Sequence, residues 1–175
     1  VSFNAAISAC EKGEQWERSL QMLAEMLKHD LQPDVISFNA AISACGKSEQ
    51  WERALGILLE MRKQYVEPDV ISYSAVISAC GHAGLWEESL SVLTEMKEQG
   101  LEPNAISFNS AIAACEQCLQ MDRGLELLWE SHERGVAQSL SSFAWSLARL
   151  SVSDPDTIDA TVSTAILQLS QSCHS

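Results

Sequence analysis

The chain has 175 residues and a formal net charge of −13, which counts against a simple polyanion binder, because phosphate attraction supplies much of nucleic-acid affinity. No apolar run approaches the ~20 residues needed to span a bilayer, so no membrane partner is expected. The chain starts at Val1 with neither Met nor leader, and is expected to be a fragment or mature piece of a longer protein.

One sentence of sequence is printed four times. VSFNAAISAC opens the chain, and VISFNAAISAC returns at 35–45, ISYSAVISAC at 71–80 and ISFNSAIAAC at 106–115. Cys10, Cys45, Cys80 and Cys115 mark the step of 35 residues. Self-similarity at a fixed period in this range signals a solenoid, in which each unit buries its apolar face on its neighbours.

In the first unit, Phe3, Ala6, Ile7 and Cys10 fall at helical spacing and predict an apolar stripe on one helix. The pattern breaks at Lys12 and Gly13. Trp16, Leu20, Leu23 and Met26 or Leu27 then share one face of a second predicted helix, with Glu17, Arg18 and Glu25 opposite. Pro33 disfavours helix for the residue before it, and Asp34 suits a turn or a cap. The unit is a helical hairpin.

The second unit repeats this with Phe38, Ile42 and Cys45, then Trp51, Leu55, Leu58 and Met61, closed by Pro68 and Asp69. The third has Tyr73, Ile77 and Cys80, then Trp86, Leu90, Leu93 and Met96, closed by Pro103 and Asn104. The fourth begins faithfully with Phe108, Ile112 and Cys115 and then drifts, with Met121 for the Trp, Ser131 for the Met and Gln138 for the Pro. The expected division is four repeats over 1–139 (1–34, 35–69, 70–104 and 105–139). A degenerate capping hairpin over 140–175 keeps Ser142, Phe143 and Leu147, with an apolar pattern at Ile158, Val162, Ile166 and Leu169. No strand pattern competes, and the fold class is all-α.

Other chemistry is thin. A periodic Cys beside Ala is most simply a small core residue. Equivalent positions one repeat apart lie about one helix-packing distance from each other, too far for a disulfide, and a reducing compartment fits. Cys115 and Cys118 form a CxxC, yet a closed zinc site takes four ligands and no second pair stands nearby; Cys173, His174 and His132 are distant in sequence. No metal and no cofactor are expected. Trp16, Trp51 and Trp86 start second helices on the apolar stripe, which fits hairpin packing rather than base stacking. There is no paired-carboxylate, nucleophile–base or phosphate-loop arrangement, so no enzymatic activity is expected.

Asn4, Ser8 and Lys12 are spaced by four and line one face of the first helix, followed by Asn39, Ser43, Lys47, by Ser74, Ser78, His82, and by Asn109, Ala113, Gln117. This stripe is small, polar and nearly free of acid. Glu17, Glu25, Glu52, Glu60, Glu87, Glu95, Asp122 and Glu130 sit on second helices, so the negative charge is expected on a solvated outer face.

The wording VISFNAAISAC at 35–45, LLEM at 58–61 and EPD at 67–69 resembles the pentatricopeptide repeat family, well over 1–139 and poorly over 140–175. The resemblance implies a right-handed α-α superhelix that binds single-stranded RNA along its concave face, about one base per repeat. Carried over by position, it implies base-reading pairs of Asn4 with Asp34, Asn39 with Asp69, Ser74 with Asn104, and Asn109 with Ser139. It implies that Val1, Ile36, Ile71 and Ile106 pack on bases, and that Lys12 and Lys47 meet phosphates. The family's pairing habit then favours uridine, uridine, adenine and a pyrimidine in that order (U-U-A-C/U), with weak binding by four units alone. It places the protein in organelle RNA processing, stability, editing or translation, in chloroplast or mitochondrion. Asp34, Asp69 and Asn104 equally suit helix caps, Ile36, Ile71 and Ile106 equally suit ordinary helix-start packing, and Lys12 and Lys47 equally suit solvated turns. A protein-binding scaffold within a ribonucleoprotein assembly, with other proteins as partners, is the competing expectation.

Overall fold

The computed structural model describes residues 3–13, 15–29 and 31–136; Val1, Ser139 and the expected capping hairpin over 140–175 lie outside the described residues. Among those described, eight helices and no strands occur: α1 Phe3–Lys12, α2 Trp16–Lys28, α3 Val35–Lys47, α4 Trp51–Lys63, α5 Val70–His82, α6 Trp86–Glu98, α7 Ala105–Gln117 and α8 Met121–Glu133. Each odd helix packs on the even helix that follows it and on the next odd helix, and each even helix leans on the next odd helix. The even helices meet one another far less. The odd helices therefore form a tight inner layer and the even helices a splayed outer one, which curves the stack.

The repeated sentence explains the tight layer. Phe38, Tyr73 and Phe108 are fully buried, as are Ile7, Ile42 and Ile77 and the cysteines Cys45, Cys80 and Cys115. Burial pushes the Cys45 and Cys80 thiols up to about 11, so both behave as small apolar residues. In the outer layer Leu58, Leu93, Leu128, Met61 and Met96 are buried. Trp16, Trp51 and Trp86 pack on the core half-buried, as hairpin packing requires. Ser131 is buried where the other units carry Met, and its hydroxyl donates to the Leu128 carbonyl (2.8 Å).

Small residues set the inner spacing. A Cβ added at Gly81 would lie 2.7 Å from the backbone oxygen of Ser110, and one at Gly46 would lie 3.2 Å from the Ala79 Cβ. The outer layer is bridged by long side chains instead. Arg62 of α4 pairs with Glu95 of α6 and reaches the Tyr73 hydroxyl. Lys97 of α6 pairs with Glu130 of α8 (2.6 Å) and lies over the Phe108 ring (5.6 Å to its centroid). Glu95 and Glu130 are thus half-buried rungs between units, which corrects their expected place on a freely solvated face.

Helix ends follow the same period. The residue after the odd helices and their turn is left-handed at Glu49, Gly84 and Leu119, and the residue after the even helices is left-handed at Tyr65, Gly100 and Gly135. In each turn the next amide closes back on the helix, as from Gln50 to Cys45 and from Val66 to Met61. Three of the six positions have no glycine, and an L side chain in this region is strained. Tyr65 is 94% exposed, so little contact is lost there on truncation. Tyr65→Gly is expected to raise unfolding stability by about 0.5–1 kcal/mol, and Gly81→Ala to lower it by about 1–3 kcal/mol through overpacking against Ser110. Urea denaturation of both variants checks the signs.

Candidate nucleic-acid interface

The inner stripe is built where one unit meets the next. Asp34, Asp69 and Asn104 each precede an odd helix in extended backbone, and each side chain accepts the N–H three residues on, from Ser37 (2.8 Å), Ser72 (2.9 Å) and Ser107 (3.0 Å). These are N-caps. The structure also brings two of the expected pairs into contact. The Asn4 Nδ2 donates to Asp34 Oδ2 (2.9 Å) and the Asn39 Nδ2 to Asp69 Oδ1 (3.1 Å). Capping and pairing are therefore not alternatives, because a carboxylate accepts several hydrogen bonds at once.

The third pair is built differently. Ser74 is only 4% exposed. Its hydroxyl lies 2.6 Å from the Val70 carbonyl, 2.8 Å from Ser107 Oγ and 3.3 Å from Asn104 Oδ1. A short side chain sinks where Asn4 and Asn39 stay half-buried, so Asn104 is the more accessible half of that pair. Asn109 is half-buried; its expected partner Ser139, like Val1, lies outside the described residues.

Beside each pair stands an exposed aliphatic side chain. Ile36 is 64% exposed, Ile71 63% and Ile106 59%, in helices whose Phe38, Tyr73 and Phe108, two residues further on, are fully buried. A single exposed Ile is ordinary. Three at one register, one helical turn from a polar pair, form a row of apolar rungs with polar gaps.

Charge on this face is less open than expected. Lys12 and Lys47 are exposed, but Lys47 donates to Glu11 Oε1 (3.0 Å), which also accepts from Ser43 (2.8 Å). Glu11 thus brings a carboxylate onto the stripe expected to be nearly free of acid. The stripe serine of the third unit is closed differently: the Ser78 hydroxyl meets that of Ser110, a neighbour of the stripe, at 2.7 Å. Cys115 is buried, and the Cys118 thiol donates to the Gly84 carbonyl at 2.9 Å. Among the described residues no cluster of His, Cys, Asp and Glu has the make-up of a metal site, and no helix is long and apolar enough to cross a membrane.

The residue column that sequence reasoning missed is Ser37, Ser72 and Ser107, all fully buried. Ser37 Oγ donates toward Asn4 Oδ1 (2.6 Å) and lies 2.8 Å from Asp34 Oδ1; Ser72 Oγ meets Asn39 Oδ1 (2.6 Å) and Asp69 Oδ1 (3.0 Å) in the same way. Its signal was the recurrence of Ser three residues after each Asp or Asn.

The fold defines the class first: an α-solenoid of stacked helical hairpins. The sequence matches the pentatricopeptide repeat domain over residues 1–48, 21–83 and 57–117, and the PPR repeat over 106–136. The chain belongs to the pentatricopeptide repeat family. Similar solved structures include PPR10 from maize, with 22% identity over 93% of this chain and a TM-score of 0.73. The PPR domain of Arabidopsis thaliana protein-only RNase P 1, solved in complex with tRNA, aligns with 16% identity over 96% of this chain and 89% of that one, at a TM-score of 0.79. Nuclear proteinaceous RNase P 2 of A. thaliana aligns with 15% identity over 95% of this chain and 37% of that one, at 0.78. This chain spans 25% of the length of maize PPR10. At these identities the likeness shows the fold. No curated protein sequence matched.

Burial pushes the Asp34 and Asp69 carboxyls up, but hydrogen bonds from the serine backbone and hydroxyl and from the paired Asn outweigh it and hold both below their ordinary 3.8. Glu11 is likewise raised by burial, then held below its ordinary 4.5 by Lys47 and Ser43. A depressed carboxylate contributes stability above its unfolded pKa and loses it as pH falls through its folded one. Stability is therefore expected to drop as pH falls below about 4, and less so in Asp34→Asn/Asp69→Asn, as read from urea midpoints across pH 2–7. At pH 7, Asp69→Ala is expected to cost about 1 kcal/mol and Asp69→Asn much less, since Asn also caps.

Proposed function

We propose that this chain is a sequence-selective single-stranded RNA-binding module, with four repeats over 1–139 and a capping unit over 140–175. The observation that carries this reading is the row of Ile36, Ile71 and Ile106, exposed at one register and separated by hydrogen-bonded polar pairs. Unpaired bases need both features: an apolar surface for the ring face and donors or acceptors for its edge. Val1 would supply a further rung. Asn4 with Asp34 and Asn39 with Asp69 read uridine, Ser74 with Asn104 reads adenine, and Asn109 with Ser139 reads a pyrimidine. Lys12, and Lys47 once released from Glu11, would meet phosphates.

Two structural neighbours were solved with RNA, PPR10 with an 18-nt psaJ RNA element and the protein-only RNase P 1 domain with tRNA, which supports the same partner class here. The corresponding setting is organelle RNA processing, stability, editing or translation, in chloroplast or mitochondrion. The module itself is proposed to bind without catalysis.

Binding by this piece is weak. Stacking on aromatic platforms contributes on the order of 1–3 kcal/mol per base, aliphatic packing less, and the Glu11–Lys47 pair removes one free cation. The Glu11–Lys47 pair and the charge of −13 favour the second reading, a protein-binding scaffold. The two readings separate in one experiment. Selection from randomised short RNAs should enrich U-U-A-pyrimidine, with micromolar or weaker affinity at physiological salt. Absence of enrichment leaves the scaffold, and submicromolar affinity refutes the weak-binding argument. Ile36→Ala/Ile71→Ala should weaken RNA binding by roughly two- to fivefold per rung, while thermal unfolding stays within about 0.5 kcal/mol of the parent because the rungs are exposed.

A further inference from the structure

We propose that Ser37, Ser72 and Ser107 form a buried third member of the first three base-reading pairs, fixing which edge each pair presents. The proposal rests on the RNA-binding reading above and adds the source of its specificity. Each site is then a triad spread over two units: the reader of one helix, and the cap and serine that open the next odd helix.

The argument starts from one proton. A serine hydroxyl carries a single donor. In the second triad, Ser72 Oγ accepts from the Asp69 N–H (3.1 Å) and makes its shortest contact, 2.6 Å, with Asn39 Oδ1. In the first, the shortest contact is again 2.6 Å, to Asn4 Oδ1. The proton therefore goes to the amide oxygen. That oxygen is occupied from below by a side chain that is itself fully buried, while the amide nitrogen faces the carboxylate.

The orientation of an amide is fixed by its hydrogen-bond network, and here two partners agree. Turning the Asn39 amide over would set Oδ1 against the Asp69 carboxylate and lose the serine's acceptor. The face left for a ligand is then an amide N–H beside a carboxylate oxygen, a donor next to an acceptor. Uridine offers the complement, a carbonyl oxygen beside the N3–H. Held in the same register, cytidine sets its amino group against the amide N–H and its N3 lone pair against the carboxylate, which repels it.

Without the hydroxyl, Oδ1 loses its partner and only the carboxylate contact of the amide nitrogen opposes its rotation outward. An outward Oδ1 accepts from the cytidine amino group as readily as Nδ2 donates to uridine. The serine thus excludes the wrong base rather than adding contact to the right one. The third triad follows the same logic with the roles moved. Asn104 Oδ1 is held by the Ser107 N–H (3.0 Å) and lies 3.1 Å from Ser107 Oγ, so Asn104 turns its amino group outward.

The test uses the 175-residue chain and two oligomers that differ only in containing UUAC or CCAC, titrated by NMR, which reads weak binding. The parent is expected to prefer UUAC by at least fivefold. Ser37→Ala/Ser72→Ala should bring the preference below twofold with a smaller change in UUAC affinity, and Ser37→Thr/Ser72→Thr, which keep the hydroxyl, should retain it. A readout without RNA accompanies it: the Asn39 side-chain amide signals should exchange with solvent faster in Ser72→Ala than in the parent or Ser72→Thr. If Ser72→Ala fails to fold, Ser37→Ala alone carries the test through Asn4. An alanine variant that keeps both the parent's preference and its slow amide exchange overturns the inference and leaves RNA reading intact. A parent with no preference for UUAC removes the base reading, and the inference with it.

Discussion

The distance between odd-numbered helices is the constraint on which the rest depends. Gly81 lies so close to α7 that a Cβ would meet the Ser110 oxygen at 2.7 Å. Ala79, Ala111 and Ala114 are fully buried alongside. At that approach, a side chain as short as Asn39 spans from one helix to the cap of the next. A larger residue at the glycine would widen the gap, and hydrogen bonds of 2.6–3.1 Å between units do not survive a shift of an ångström. The small residues of the core and the polar groups of the groove are thus consequences of one spacing.

The outer layer solves the opposite problem. Even-numbered helices stand apart, and only long side chains close the distance, which is why Arg62, Lys97, Glu95 and Glu130 occur there. Each cation also lies over the aromatic ring of an odd helix, Arg62 over Tyr73 and Lys97 over Phe108. These pairs are half-exposed, and exposed pairs contribute little each. Their effect is to match negative charge to positive charge at unit boundaries. Each pair is neutral, so the whole charge of −13 resides on carboxylates outside these pairs, and it is their placement, not the sum, that sets the field over the groove.

Much of this was legible in the sequence because it repeats within a unit. The hairpins, the buried Phe38, Ile42 and Cys45, and the polar stripe all follow from helical spacing inside about 35 residues. What stayed hidden crosses between units. Nothing in the local pattern around Glu11 says that its carboxylate lands on Lys47 and Ser43. Nothing near Ser37 says that it meets Asn4, 33 positions earlier. Ser74 looked equivalent to Asn39, and only its length differed; the shorter side chain is buried where the amide reaches out. Period identifies which residues are equivalent, and contact geometry decides what each of them touches.

The double use of the capping residue limits what such a site can read. Asp34, Asp69 and Asn104 must accept the N–H that opens a helix, and only a few side chains do so well, chiefly Asp, Asn, Ser and Thr. In the proposed RNA-binding reading, those same side chains also supply one half of a base-reading pair. Asp and Asn satisfy both demands with opposite outward character, since a capping carboxylate still presents an acceptor while a capping amide turns its amino group outward. The alphabet available at the groove is therefore set by helix capping before any ligand is considered. A change of reader between Asp and Asn keeps the fold and inverts the edge; a change to an apolar residue forfeits the cap as well as the contact. Under that proposal sequence preference and fold stability would be coupled at this one position, whereas Ile36 and Ile71, which cap nothing and are mostly exposed, would be free to vary with the ligand alone.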